Sequence, residues 1–236
     1  GKRDILKYIV IKWLSKELDR MDKTLEYYNQ NAKQFTSTTQ TLEFSQIQDK
    51  FLNYLKSDAK ILDFGCGAGR DAKYFLEHGY DVDASDGSVE MVKAASKLTG
   101  LDVKLLLFED LNEKDMYDGI WACSSILHCK KEQLLIVFQK MADALKENGI
   151  VYTSFKYGND SCERNGRYFT DFTSESFHDF MLKIPFALVE EWQSSDIRPG
   201  RENEKWLNLI LRKVSNVQER KSNVSKLWIQ YFLCKR

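Results

Sequence analysis

Apolar positions along the chain recur with two rhythms, a helical period near 3.6 and short continuous or alternating runs suited to strands. Phe44, Ile47, Phe51, Leu52 and Leu55 fall on one helical face, and Ala59 to Phe64 then reads as a short buried strand. Asp71 to His78 is expected to be a helix closed by Gly79, Tyr80 to Ser85 a strand, and Val89 to Leu98 a helix closed by Gly100. Strands are expected at Val103 to Phe108 and Gly119 to Cys123. A strongly periodic helix carrying Leu134, Leu135, Phe138, Met141, Ala142 and Leu145 should end at Asn148-Gly149, with a strand from Ile150 to Phe155. A last helix, Glu175 to Lys183, precedes two β-rich runs, Ala187 to Trp192 and Trp206 to Arg212, whose Arg/Pro/Gly connection suits neighbouring antiparallel strands. Strands alternating with helices imply an α/β fold with a mainly parallel sheet covered on both faces.

In such sheets ligands sit beyond the carboxyl ends of the strands, so the turn after the first strand carries the first functional expectation. It reads Asp63-Phe64-Gly65-Cys66-Gly67-Ala68-Gly69-Arg70. Glycines let the backbone take positive φ and approach a ligand closely. Asp86 closes the second strand, roughly 20 residues downstream, where an acid can accept hydrogen bonds from a ribose. Strand, glycine turn, helix, strand and acid in this order point to nucleotide or nucleoside binding. The alternative is that the glycines only permit tight strand-to-helix packing and that Asp86 starts a turn before the N-cap Ser88. A dinucleotide fingerprint needs GxGxxG, but Arg70 occupies the place of its third glycine, so NAD is the lesser reading.

At these residues the chain resembles the class I S-adenosylmethionine-dependent methyltransferases. Ile61 to Arg70 is similar to their first motif, Tyr80 to Met91 to their second, Tyr117 to His128 to their fourth strand and its continuation, and Leu145 to Ile150 to the turn before the fifth. Within them, Arg167-Tyr168-Phe169-Thr170-Asp171-Phe172-Thr173 resembles the tellurite-resistance and general methyltransferase-domain type that acts on small molecules. The resemblance runs from about Tyr27 to Lys213 and implies a Rossmann-like, seven-stranded, mainly parallel sheet with an antiparallel C-terminal strand pair. It implies S-adenosyl-L-methionine as cofactor. Gly65, Cys66 and Gly67 would pass beneath its methionine part, with Asp63 reaching the amino group directly or through water, and Asp86 would hold the ribose. Gly87, Ser88 and Met91 would line the adenosine, and Cys123 would border the cofactor from the fourth strand. Relatives place an acid after the third strand to meet the adenine amino group, whereas Leu107 stands there in this chain. Phe108 would cover the adenine face and the Glu109 backbone supply a donor, or Phe108 is ordinary core. Tyr27 to Phe35 resembles a segment that closes over the cofactor, with Tyr28 as a lid contact; otherwise Tyr28 and Phe35 form one apolar stripe.

Methyl transfer would be an in-line displacement in which the cofactor supplies the reactive bond and the protein positions the partners. His128, just after the fourth strand, is the candidate general base, since an unperturbed histidine titrates at about 6.5; the alternative is a structural histidine. Arg164, Arg167, Arg198 and Arg201 are expected near the active edge, with Arg167 assigned to an anionic small substrate, because arginine clusters take carboxylate or phosphate bidentately. The polar stretch Lys156 to Thr173 is longer than ordinary connections and is expected to be a substrate loop.

Composition sets the bounds. In 236 residues, 35 Lys and Arg balance 35 Asp and Glu, so no global field draws the chain to nucleic acid. Cys123-Ser124-Ser125-Ile126 and Ala122-Cys123 lack the signatures of exocyclic-amine and C5-cytosine methylation; RNA or protein methylation, or a non-catalytic cofactor-binding scaffold, stays open. Five scattered cysteines without CxxC spacing suit a reducing compartment and no metal site, and no apolar run reaches the roughly 20 residues of a membrane span. A cytoplasmic protein with a small-molecule partner is expected. Residues 1–20, with Ile5, Ile9 and Trp13, and residues 215–236, with Val224, Leu227, Trp228 and Tyr231, read as basic amphipathic ends flanking a 21–214 domain, packing on that domain or on a partner.

Overall fold

The computed structural model describes residues 23–40 and 42–214; the two amphipathic ends lie outside them. Helix α1 (residues 23–30) and helix α2 (Ala32–Thr39) precede α3 (Ser45–Leu52). The chain then runs β1 (Lys60–Phe64), α4 (Arg70–Glu77), β2 (Asp81–Asp86), α5 (Val89–Thr99), β3 (Lys104–Leu105), β4 (Tyr117–Ala122), α6 (Lys131–Ala144) and β5 (Leu145–Lys156). A hairpin, β6 (Ser161–Arg164) and β7 (Arg167–Thr170), leads to α7 (Ser174–Met181), β8 (Phe186–Ser195) and β9 (Lys205–Lys213).

The seven-stranded sheet has the order β3-β2-β1-β4-β5-β9-β8. The first five strands are parallel, and β9 is antiparallel to both β5 and β8. Residues alternate between two cores. Leu62, Phe64, Ile120, Ala122, Val151 and Phe155 face α6 and α7, whereas Ile61, Val82, Ala84, Trp121 and Tyr152 face α3, α4 and α5. Chain order reverses between β1 and β4, which opens a crevice at the carboxyl ends of those strands.

Three expected elements differ. The strand at Val103 to Phe108 shortens to Lys104–Leu105, an exposed edge, and the chain folds into a 3-10 turn at Phe108–Asp110 that brings Phe108 beneath the glycine turn. Helix α6 stops at Ala144, not at Asn148-Gly149. Leu145 already pairs with Tyr117, and Lys146 to Gly149 bulge out, Asn148 at φ 61°, before Ile150 pairs with Gly119. The stretch Lys156 to Thr173 is not an unstructured loop: Asn165 (φ 51°) and Gly166 (φ 75°) turn it into the β6–β7 hairpin.

Candidate functional site

The crevice opens into a cavity of about 1220 Å³ lined by the ends of β1, β2, β4, β5, β8 and β9, by the β6–β7 hairpin and by α1 and α2. Of the residues singled out from sequence, Tyr28, Gly65, Cys66, Gly67, Asp86, Gly87, Met91, Phe108, Glu109, Cys123, His128 and Arg167 line it. Asp63 and Ser88 do not.

The glycine turn wraps the end of β2. The N–H groups of Gly65 and Cys66 both donate to the Ser85 carbonyl at 2.9 Å, and the Gly67 N–H donates to Asp86 Oδ2 at 2.9 Å. Gly65 sits at φ +80°, where an added Cβ would lie 2.5 Å from Ser125 Cβ, and Gly67 at φ +54°. Neither position accepts a side chain without strain. Asp86 Oδ1 accepts from the Ser88 N–H at 2.8 Å, and burial pushes the Asp86 carboxyl above its ordinary range. Backbone N–H groups of Gly67, Gly87 and Ser88 all serve this carboxyl, which lines the cavity and keeps acceptor capacity there.

Asp63 stands apart from the residues that line the cavity. It is buried, and its Oδ2 accepts the Ala72 N–H at 2.9 Å. Helix α4 has Gly69 at its N-cap and no side-chain cap, so the carboxyl of β1 satisfies a first-turn donor instead. Its neighbour Asp71 accepts from Gln48 Nε2, Arg70 Nε and Nη2, and Trp121 Nε1. Burial first, and the Asp71 charge second, hold the Asp63 carboxyl well above the carboxylate range. Ser88 likewise faces inward. Its Oγ caps α5 by accepting from the Met91 N–H and donates to Asn29 Oδ1 at 2.7 Å. Arg70, passed over in the sequence except as a missing glycine, lines the cavity with its guanidinium forked on Asp71 and 4.6 Å from the Phe44 ring centroid. Its place at the first position of the helix after the glycine turn was the available signal.

Phe108 lines the cavity and meets Phe64 edge-on at 4.9 Å, so it is both wall and core. The Glu109 carboxylate accepts from Gln133 Nε2. Burial raises the Cys123 thiol to about 12. Ser124 takes a left-handed φ of 51° at the end of β4, its N–H donating to Ser154 Oγ at 3.0 Å; no sequence pattern marks it, and strained residues of this kind concentrate at functional sites.

At the other end, helix α1 brings Tyr28 across the cavity. Both nitrogens of His128 are engaged, Nδ1 with the Tyr168 carbonyl at 2.6 Å and Nε2 with the Tyr28 hydroxyl at 2.8 Å. A carbonyl only accepts, so Nδ1 carries the proton and neutral Nε2 accepts from Tyr28. Burial lowers the His128 pKa to about 4, so the ring is neutral and only weakly basic near pH 7. Among the arginines, Arg164 pairs with Asp171, Arg198 with Asp196 and Arg201 with Glu204. Arg167 has no carboxylate partner among the described residues. It is 8% exposed, its Nε is buried without a hydrogen-bond partner, its Nη1 lies 3.4 Å from the Tyr28 hydroxyl, and its guanidinium carbon lies 4.4 Å from the Tyr27 ring centroid.

Comparison with known proteins agrees with this architecture. Residues 61–149 match the family model described as a methyltransferase domain. The sarcosine/dimethylglycine N-methyltransferase of Aphanothece halophytica is 32% identical over 127 residues, 50% of this chain and 45% of that protein. The chain spans about half the length of the curated relatives it matches. Among solved structures, the 1,6-didemethyltoxoflavin-N1-methyltransferase of Burkholderia thailandensis superposes with a TM-score of 0.69 at 17% identity, covering 85% of this chain and 90% of that one. TehB of Haemophilus influenzae does so with 0.60 at 18%, covering 76% and 65%. No helix among the described residues is long and apolar enough to cross a membrane. Residues 61–149 thus match a methyltransferase-domain model, and the seven-stranded sheet that carries them has the fold of these solved methyltransferase structures.

Proposed function

We propose that this protein transfers a methyl group from S-adenosyl-L-methionine to a small anionic acceptor. The observation that carries the reading is the pairing, in one cavity, of the positive-φ turn at Gly65 and Gly67 with the Asp86 carboxylate that holds it. A side chain at either glycine would intrude on the cradle, and Asp86 retains lone pairs for a ribose. The residues therefore fit the cofactor: Gly65 to Gly67 beneath the amino-acid part, Asp86 at the ribose, Met91 and Phe108 along the base, and Arg70 as the nearby cation. When bound, S-adenosylmethionine supplies an electrophilic methyl on a sulfonium.

The chain itself positions the acceptor. Arg167 offers the charge and a free N–H that a carboxylate or phosphate would satisfy, since a buried unpaired donor costs about 1–3 kcal/mol. Tyr28 closes the cavity from α1. No proton acceptor with a pKa near neutrality is needed where the nucleophile arrives deprotonated, and orientation alone can contribute about 7–11 kcal/mol. Two relatives carry the names of small acceptors, sarcosine and dimethylglycine in one and 1,6-didemethyltoxoflavin in the other, which supports an acceptor of that size.

Calorimetric titration with S-adenosylmethionine, S-adenosylhomocysteine and NADH tests the reading. Both sulfur nucleosides should bind, and Asp86→Ala should weaken them at least about tenfold, or ~1.4 kcal/mol. Binding of NADH alone would return the glycine turn to a dinucleotide role.

A further inference from the structure

Resting on that function, we infer that the acceptor is a flat aromatic or heteroaromatic acid, held between an indole-lined sheet wall and the buried guanidinium of Arg167. The cavity, at about 1220 Å³, exceeds the roughly 300–1,000 Å³ of ordinary small-molecule sites, and it continues past β4 over β5, β9 and β8. Strand register builds the wall there. Ser154, Asn208 and Trp192 stand opposite one another across β5, β9 and β8, and Lys156, Trp206 and Ser194 form the next row on the same face. Both tryptophans line the cavity and are partly exposed.

The polar groups of this wall are already engaged with one another. The Tyr152 hydroxyl donates to Asn208 Oδ1 at 2.8 Å, Asn208 Nδ2 donates to Ser194 Oγ at 3.0 Å, and Trp206 Nε1 donates to Asp196 Oδ2 at 3.1 Å. Lys156 Nζ pairs with Asp196 and Glu204 and lies 4.0 Å from the Trp206 ring centroid. What remains for a ligand is the exposed part of the two indoles, since Trp192 packs on Tyr152 with ring centroids 6.2 Å apart and has Lys50 Nζ 4.7 Å from its own, and Tyr152 is buried against Trp121. Aromatic rings prefer offset-stacked or edge-to-face partners, which favours a planar body here.

Across the cavity the charge is specific. Arg164 and Arg198 are neutralised by Asp171 and Asp196. Among the described residues Arg167 has no such carboxylate, and its buried Nε has no hydrogen-bond partner. The rings of Tyr27, Tyr28 and Phe169 pack 4.4, 5.7 and 5.2 Å from its guanidinium carbon, and the residue lines the cavity. A small aliphatic amino acid would satisfy Arg167 but leave the indole wall unfilled; a planar acid satisfies both.

The test uses the whole chain saturated with S-adenosylhomocysteine and titrates salicylate and indole-3-acetate against acetate and sarcosine, following tryptophan fluorescence and calorimetric heat. The aromatic acids should bind at least tenfold more tightly than the aliphatic ones. Arg167→Gln should abolish that binding, and Trp192→Leu should remove most of the preference for the aromatic acids. Both variants should keep wild-type affinity for S-adenosylhomocysteine, which reports that they are folded; a variant that loses it is replaced by Arg167→Lys or Trp192→Phe, for which the same directions are expected at smaller size. Equal affinity for the two classes, no binding by either, or aromatic binding untouched by Arg167→Gln would overturn the inference. Failure of wild-type protein to bind S-adenosylhomocysteine would instead overturn the proposed function.

Discussion

Asp63 and Asp86 lie near the carboxyl ends of neighbouring strands, and their surroundings give them different work. Asp86 faces the cavity and holds the glycine turn, whereas Asp63 turns inward to an α4 N–H beside the Asp71 charge. Because its folded pKa is raised, Asp63 holds its proton to higher pH in the native state than in the unfolded chain, which releases it above about pH 4, so its contribution to stability falls as pH rises from there. Asp63→Asn keeps an acceptor for the Ala72 N–H and removes that cost. Its Tm relative to wild type should therefore climb between pH 4.5 and pH 7 in thermal unfolding, and a constant difference would show that Asp63 is ionised in the fold. The place of Asp86 was legible in the sequence because the end of a strand followed by an N-cap is a local pattern. The inward turn of Asp63 was not, since it depends on which helix end lacks a cap. His128 was legible as a residue of the site, but its tautomer was not. The Tyr168 carbonyl that fixes its tautomer arrives from a hairpin 40 positions away.

At the scale of elements, the β6–β7 hairpin carries the proposed acceptor end. Asn-Gly between two short strands is a strong hairpin signal; polarity and length alone make residues 156–173 read as a loop. The pairing of Ser161 to Arg164 with Arg167 to Thr170 is what sets Arg167 beneath Tyr27 and Tyr28. Gly166, at φ +75°, has Tyr27 Cδ2 3.4 Å from where a Cβ would be. Gly166→Val would place a β-branched residue where φ must be positive. The variant should lose at least tenfold in acceptor affinity and keep its affinity for S-adenosylhomocysteine; equal losses of both would mean that the hairpin also shapes the cofactor end. The long helix α6 was legible from its period, but its end was not. The apolar residue Leu145 continues the helical stripe and is taken instead by pairing with Tyr117.

The whole molecule turns on β4, which borders the crevice and sends side chains into both cores. Trp121 is fully buried against Phe51, Phe75 and Tyr152, with its ring 4.1 Å from that of Tyr152, and its Nε1 donates to Asp71 at 2.8 Å. Trp121→Ala should cost about 3–5 kcal/mol in denaturant unfolding, from lost packing and a cavity left between sheet and helices. A cost under about 1 kcal/mol would mean that the helices collapse into the space. What the sequence determined by itself was the succession of elements, the glycine turn, the acid closing β2 and the antiparallel ending. These follow from patterns spanning a few residues, where backbone sterics and hydrophobic period act. Tertiary structure alone decided that three arginines are neutralised and Arg167, among the described residues, is not, that His128 accepts from Tyr28, and that two tryptophans form one wall. Such partnerships join groups as far apart as Tyr28 and Arg167, 139 positions along the chain. They are set by how strands are ordered and registered in the sheet, which no local pattern encodes.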